Sequence, residues 1–259
     1  MAKQLHETEK IMAYKTRVVA FIDILGFKNS IEKSNKDDKE YERVLKTLTD
    51  LQDFFVKPKD KYHIEADEAL NLDTQIMQVS DSLVISRLVE GRGGIYNMLT
   101  DCAFAIHLLI NNGFLCRGAI KVGNLYHTEK MIFGEAFIKA YLAESEERFP
   151  IIKFENELFE IAQKYPAPAN EDYADWEVQF IKNNCKELMT GIYYLDYFTD
   201  YDNRIGGDEG SASIHYSKLR EIIMGGLQIP KTSNAYEKYR WAADQFNKTA
   251  INYGLQPTE

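Results

Sequence analysis

FIDILGFKNS, residues 21 to 30, decides how this chain begins its fold. The run before it, Val18-Val19-Ala20, continues through Phe21-Ile22 as a short apolar stretch rich in β-branched residues, which predicts a buried strand over residues 17–23. A single carboxylate, Asp23, closes that strand. Gly26 then turns the chain, and the spacing becomes helical from about Leu25 to Phe55, broken near Asn35-Lys36-Asp37-Asp38. A carboxylate beside the most hydrophobic strand needs a physical reason. Either it caps the helix that follows or it meets positive charge.

Working outward, QIMQVSDSLVISRL, residues 75–88, gives two strand-like runs around Ser80-Asp81-Ser82 and predicts a hairpin. Gly93 and Gly94 open a helix that runs to Asn111. FLCRGAIKVGNLY, 114–126, predicts a strand, and GEAFIKAYLAESEERF, 134–149, a helix starting just after Gly134 with Glu135 in its first turn. PIIKF, 150–154, is a short strand, GIYYLDYF, 191–198, another, and the tail from Ser211 holds two amphipathic helices separated by Pro230. Residues 57–73 are charged and loop-rich, and Pro166 and Pro168 mark a surface excursion. The order β-α-α-β-β-α-β-α-β predicts an α+β fold with a partly antiparallel sheet. Residues 1–160 are expected to form the core, and residues 161–259 to complete the sheet and add two helices within the same domain.

Composition excludes several functions. Across 259 residues, 45% are hydrophobic and 27% charged, which is ordinary for a globular chain. A net charge of -9 with no basic face argues against nucleic acid as a partner, while leaving room for a small anion held by a few local cations. Cys102, Cys116 and Cys185 form no CxxC pair and read as reduced thiols of a cytoplasmic protein. No run is long enough to cross a bilayer, and the polar start MAKQLHETEK does not read as a signal peptide. His6, His63, His107, His127 and His215 lack zinc-ligand spacing, and no nucleophile elbow is present. RIGGDEG, 204–210, nearly spells a GGDEF signature, but Gly210-Ser211-Ala212-Ser213 follows where an aliphatic strand belongs, so it reads as a polar loop. The aromatic residues of the last third, Tyr193, Tyr194, Tyr197, Trp241 and Phe246, read as core or subunit interface.

Asp23 and Asp81 each stand at the end of a strand followed by a turn, on elements expected to be sheet neighbours. Two carboxylates converging at one sheet edge repel unless positive charge lies between them. A pair of divalent cations meets that need and brings polyphosphate with it. The plainer alternative is a helix cap at Asp23 and an ordinary turn residue at Asp81.

FIDILGF resembles the F-x-D-I-x-G-F stretch of class III nucleotidyl cyclases, and VSDSLVIS resembles their second, Asp-bearing hairpin. LCRGAIKVG resembles their R-x-G-I-x-x-G strand, and GEAFIKAYLAESE their helix G-x-x-V-N-x-A-x-R-L-E, matching at Gly134, Ala140 and Glu144. The resemblance spans residues 17–150. It implies a class III cyclase-like fold with a ferredoxin-like βαββαβ core, a C-terminal helical extension and a homodimer. It assigns two Mn²⁺ or Mg²⁺ ions to Asp23, Ile24 and Asp81, and triphosphate contacts to Gly26, Phe27, Lys28 and Arg117. Asp23, Asp81 and Arg117 would be the catalytic residues. The family's transition-state Asn and Arg fall on Ile138 and Leu142, so either another group, such as Lys121 or Lys139, replaces them, or the chemistry is slow or absent. The base-reading Lys and Asp of purine cyclases fall on Met77 and Met131, which cannot hydrogen-bond to a purine edge in the same way. The chain is most similar to the bacterial pyrimidine cyclases of the Pycsar antiphage system, including a late K-Y-x-W motif, Lys238-Tyr239-Arg240-Trp241. That resemblance implies a lyase converting UTP, in preference to CTP, to the 3′,5′-cyclic nucleotide, which acts through a separate effector and not at a membrane. A catalytically inactive nucleotide sensor and a purine cyclase are the alternatives.

Overall fold

The computed structural model describes residues 14–56, 73–198 and 209–258. The charged segment expected to be loop-rich and most of RIGGDEG lie outside them.

The predicted first strand is β1, Lys15–Ile24, and it is central. It pairs antiparallel with β3 (Ser82–Leu88) on one side and β4 (Cys116–Thr128) on the other. Beyond β3 lies β2 (Gln75–Val79), the other arm of the predicted hairpin. Beyond β4 lie β6 (Ile152–Glu155, parallel to β4), β8 (Ile192–Leu195) and β7 (Cys185–Met189), while β5 (Met131–Phe133) pairs with the far end of β4. Alternation along β1 sends Val18, Ala20, Ile22 and Ile24 to one face and Arg17, Val19, Phe21 and Asp23 to the other. Both faces are covered at the centre of the sheet, so the strand is apolar at nearly every position rather than at every second one.

The two faces are unequal. On the first, Val18, Ala20, Ile22 and Ile24 join a large core with α1 (Phe27–Ser34), α2 (Asp38–Leu51), α3 (Gly94–Asn111), α5 (Glu157–Lys164), α6 (Ala174–Asn183), α7 (Glu209–Gly226) and α8 (Asn234–Phe246). The second has a small cluster, in which Val19, Phe21, Val84 and Leu125 pack against Ala136 and Ala140 of α4 (Glu135–Ser145). The β1–β4 pairing depends on Gly118, since a Cβ there would sit 2.5 Å from the Phe21 carbonyl oxygen.

Several expectations are corrected. The fourth helix ends at Ser145, short of Phe149, because the Glu147 carboxylate accepts the amides of Arg148 and Phe149 at 2.8 and 2.9 Å. Pro150 then disfavours helix at the residue before it. The last expected strand stops at Leu195, where Asp196 Oδ1 instead accepts the amide of Phe198 at 3.0 Å. The stretch between residues 157 and 189 contributes α5, a short 3₁₀ segment at Pro168–Tyr173, α6 and β7, none of which its mixed charge and paired prolines had announced. Among the described residues no helix is long and apolar enough to cross a membrane.

Candidate active site

The sheet register builds the site. Asp23 stands opposite Ser82 on one side and Arg117 on the other, and the amide of Ile24 donates to the Asp81 carbonyl at 3.2 Å. The hairpin turn is therefore tied to the end of β1, which places both aspartates at one corner of the sheet. Burial raises the Asp23 pKa to about 7, reinforced by the negative charges of Glu144 and Asp81 and opposed by Arg117 and a hydrogen bond from Ser82. Desolvation and two like charges there outweigh the one neighbouring guanidinium.

Arg117 is oriented by three groups. Its Nε is ion-paired with the buried carboxylate of Glu144, Nη1 donates to the Glu147 carbonyl at 3.1 Å, and Nη2 lies 3.9 Å from Asp23 Oδ2. The guanidinium is thus braced from α4 and the loop after it, with its outer edge beside Asp23. Burial raises the pKa of Glu144 while Arg117 opposes the shift.

Gly26, with φ +77°, turns the chain from β1 into α1. Phe27 and Lys28 begin a helix without a side-chain cap, so their amides face outward as orphan donors suited to an anion. Beside this turn a cavity of about 490 Å³ is lined by Gly26, Asn29, Lys33, Arg43 and Lys238.

Lys238 supplies a feature that sequence reasoning left unused. It sits on α8, which is fixed over the site by the stacking of Trp241 on Phe149 at 4.8 Å. Burial lowers the Lys238 pKa, helped by the Arg117 charge, while Glu144 and Asp23 act in the opposite sense. The ammonium therefore shares the electrostatic field of the aspartate corner. Its signal in the sequence was only the K-Y-x-W motif. The two lysines expected near the reacting group are each engaged elsewhere, Lys121 with Glu155 and Lys139 with Glu135, both at 2.5 Å. Ile138 and Leu142 are about half exposed on α4, at 56% and 50%.

Met77 and Met131 do not join this corner. Met77 stands opposite Val84 on β2, and Met131 opposite Thr128 at the start of β5. Thr128 is eleven residues beyond Arg117 on β4, about 35 Å along an extended strand. Among the described residues no group of three or more His, Cys, Asp or Glu side chains forms a ready-made metal cage. His107 stacks on His215 at 5.9 Å between centroids, away from this corner.

No protein-family model matches the chain, and no curated protein matches it. Solved structures do. The adenylyl cyclase CyaB from P. aeruginosa is 13% identical, with 71% of this chain and 94% of that one covered at a TM-score of 0.43. The guanylate cyclase domain of RhGC from Catenaria anguillulae, in complex with GTP, is 14% identical over 71% and 98%, at 0.41. The guanylyl cyclase Cya2 is 15% identical over 58% and 81%, at 0.40. All three are nucleotidyl cyclase domains. What the corner of this chain can do rests on its own residues.

Proposed function

We propose that the protein is a nucleotidyl cyclase that converts a pyrimidine nucleoside triphosphate, UTP in preference to CTP, to its 3′,5′-cyclic monophosphate and diphosphate. The observation that carries this reading is the convergence of Asp23, Asp81, Arg117 and the Gly26 turn at one sheet corner. The residues fit divalent cations, because two carboxylates and the Ile24 carbonyl are oxygen donors, and burial followed by the charges of Glu144 and Asp81 raises the Asp23 pKa to about 7. Two Mn²⁺ or Mg²⁺ ions bound there would lower the pKa of the ribose 3′-hydroxyl and neutralise the departing diphosphate. Arg117, braced by Glu144 at Nε, keeps Nη2 on the Asp23 side, from which it would donate to a phosphate oxygen. The amides of Phe27 and Lys28 would donate to the outer phosphates at the start of α1. Met77 and Met131 belong in this reading to the base pocket, where they offer a purine no hydrogen bonds.

Residues 1–160 form the catalytic core in this reading, and residues 161–259 brace it, with α8 bringing Lys238. Two copies form a homodimer in the cytoplasm. The match of FIDILGF, SDSLVIS, RGAI and Lys238-Tyr239-Arg240-Trp241 to Pycsar cyclases supports a role in antiphage defence, with the cyclic nucleotide acting on a separate effector. The test is incubation with equal concentrations of the four nucleoside triphosphates and Mn²⁺, with products resolved by chromatography. Cyclic UMP, with less cyclic CMP, is expected. Conversion of ATP or GTP as readily as UTP would make the protein a purine cyclase. Triphosphate binding with no cyclic product would favour the inactive sensor, for which apolar Ile138 and Leu142 are the motivating observation.

A further inference from the structure

Away from the Asp23 corner, a small cavity opens between α3 and α6, and its enclosed part measures about 30 Å³. Leu195 in its lining belongs to β8, three strands from β1 by way of β4 and β6, about 14 Å across the sheet. The cavity has a local origin. Tyr96, Leu99, Thr100 and Ala103 recur at helical spacing and share one face of α3, and Ala103 is too short to fill the gap before α6. Phe180, Ile181 and Asn184 come from the end of α6. Leu99, Ile181 and Leu195 are buried and form the base. Phe180 is 46% exposed and Tyr96 half-buried, and their rings stand 5.9 Å apart at the rim.

Two polar groups stand among these apolar ones. Asn184 is 8% exposed and donates from Nδ2 to the Phe180 carbonyl at 2.8 Å, which fixes the way its amide is turned. Its Oδ1, on the other side of that amide, is buried and has no hydrogen-bond partner among the described residues. A buried acceptor without a donor keeps its full desolvation penalty, which a ligand carrying an N–H would relieve. Thr100 Oγ1 spends its hydrogen on the Tyr96 carbonyl at 2.9 Å, so toward the cavity it can only accept. No lining residue carries a charge. The matching ligand is therefore neutral, apolar over most of its surface and a donor at its buried end.

The kind of donor follows from the same inventory. A water or a hydroxyl would bring lone pairs of its own to a site that already presents acceptors. A ring N–H donates without adding an acceptor, and a flat aromatic body suits the tilted rings of Tyr96 and Phe180. Only the N–H and the atoms beside it need the enclosed volume, since the rim is open at Phe180. Trp176, four residues before Phe180 on α6 and exposed, extends the apolar ground beyond the rim. We propose that this cavity binds an indole-type ring by its N–H, with Asn184 Oδ1 as the acceptor and the ring body lying against Tyr96 and Phe180. The site is separate from the Asp23 corner, and the inference does not rest on the cyclase reading.

The direct experiment titrates the full chain, ¹⁵N-labelled at asparagine, with indole and with benzofuran, which keeps the shape and replaces the N–H by oxygen. Indole is expected to shift the Asn184 Nδ2 resonances saturably and to raise the melting temperature, with benzofuran about tenfold weaker. Equal affinity for the two, or no saturable shift with indole, would overturn the proposal, the second result leaving an ordered water as the only occupant. In Asn184→Leu the preference for indole over benzofuran should disappear, and a preference that survives would also overturn it. Should that variant fail to fold, Ala103→Leu fills the gap and keeps Asn184 as the reporter. Loss of the indole shift there supports the cavity, and an unchanged shift removes it. A tryptophan-bearing pentapeptide, run against its phenylalanine counterpart, separates the sources of the ring. Tighter binding by the tryptophan peptide than by free indole would assign the cavity to a side chain of a protein partner, and the reverse to a small molecule.

Discussion

At Asp23 stability and chemistry pull in opposite directions. Its folded pKa of about 7 lies above the ordinary 3.8, so the folded chain keeps a proton that the unfolded chain releases. That contribution is complete below about pH 4 and is lost as pH rises through 7. The metal-free protein should therefore melt lower at pH 8 than at pH 5. Asp23→Asn should remove most of that slope and stabilise the chain at pH 8 by about 1 kcal/mol, solvent screening having reduced the full effect. Cyclisation should be abolished in the same variant, and likewise in Asp81→Ala. Parallel melts of wild type and Asp23→Asn across that pH range, with turnover assays, decide the point. Undiminished turnover in either variant would remove that aspartate from the chemistry. At Arg117 the charge alone is insufficient, because its three nitrogens serve Glu144, Glu147 and the Asp23 side at once. Arg117→Lys should lower kcat/KM at least tenfold despite keeping the charge, since an ammonium cannot reproduce that fork. A fully active lysine variant would make Arg117 a structural residue.

Among the elements, α8 is the least expected contributor to the site. Its Ser233 cap accepts the Ala235 amide at 3.2 Å and fixes its start, and Trp241 packs against Phe149 and Phe198. These contacts hold Lys238 over the carboxylates. Lys238→Met keeps the length of the side chain and removes its charge. It should reduce turnover about tenfold or more with little change in melting temperature, and normal kinetics in that variant would confine α8 to a packing role. Helical periodicity in the tail made α8 visible in advance, but the face it turns to the sheet corner could not be read from periodicity. The edge strand β7 was missed for a related reason. Lys186 and Glu187 give it the polar look of a loop, and only its pairing with Tyr194 and Tyr193 across the Gly191 turn makes it a strand.

For the molecule as a whole, the unequal covering of the sheet matters most. The second face carries α4 alone among the helices described above, and Tyr141 and Leu142 of α4 remain half exposed, with Met131 and Phe133 of β5 nearby in the fold. A two-fold dimer closing over this face would cover those side chains. Leu142→Glu should then yield a monomer that melts near the wild-type temperature but makes no cyclic nucleotide, as sedimentation velocity and product analysis would show. A dimeric, active variant would place the interface elsewhere. What the sequence determined by itself was local. The apolar run into Asp23, the Gly26 turn, the Asp81 hairpin and the Arg117 strand were legible because strand alternation, turn chemistry and spacing act between near neighbours in the chain. Only the tertiary structure decided what surrounds them. The proton held at Asp23, the brace of Glu144 on Arg117 and the approach of Lys238 all arise between residues that register and packing bring together. Charge, desolvation and hydrogen bonding depend on distance through space, and distance along the chain does not record it.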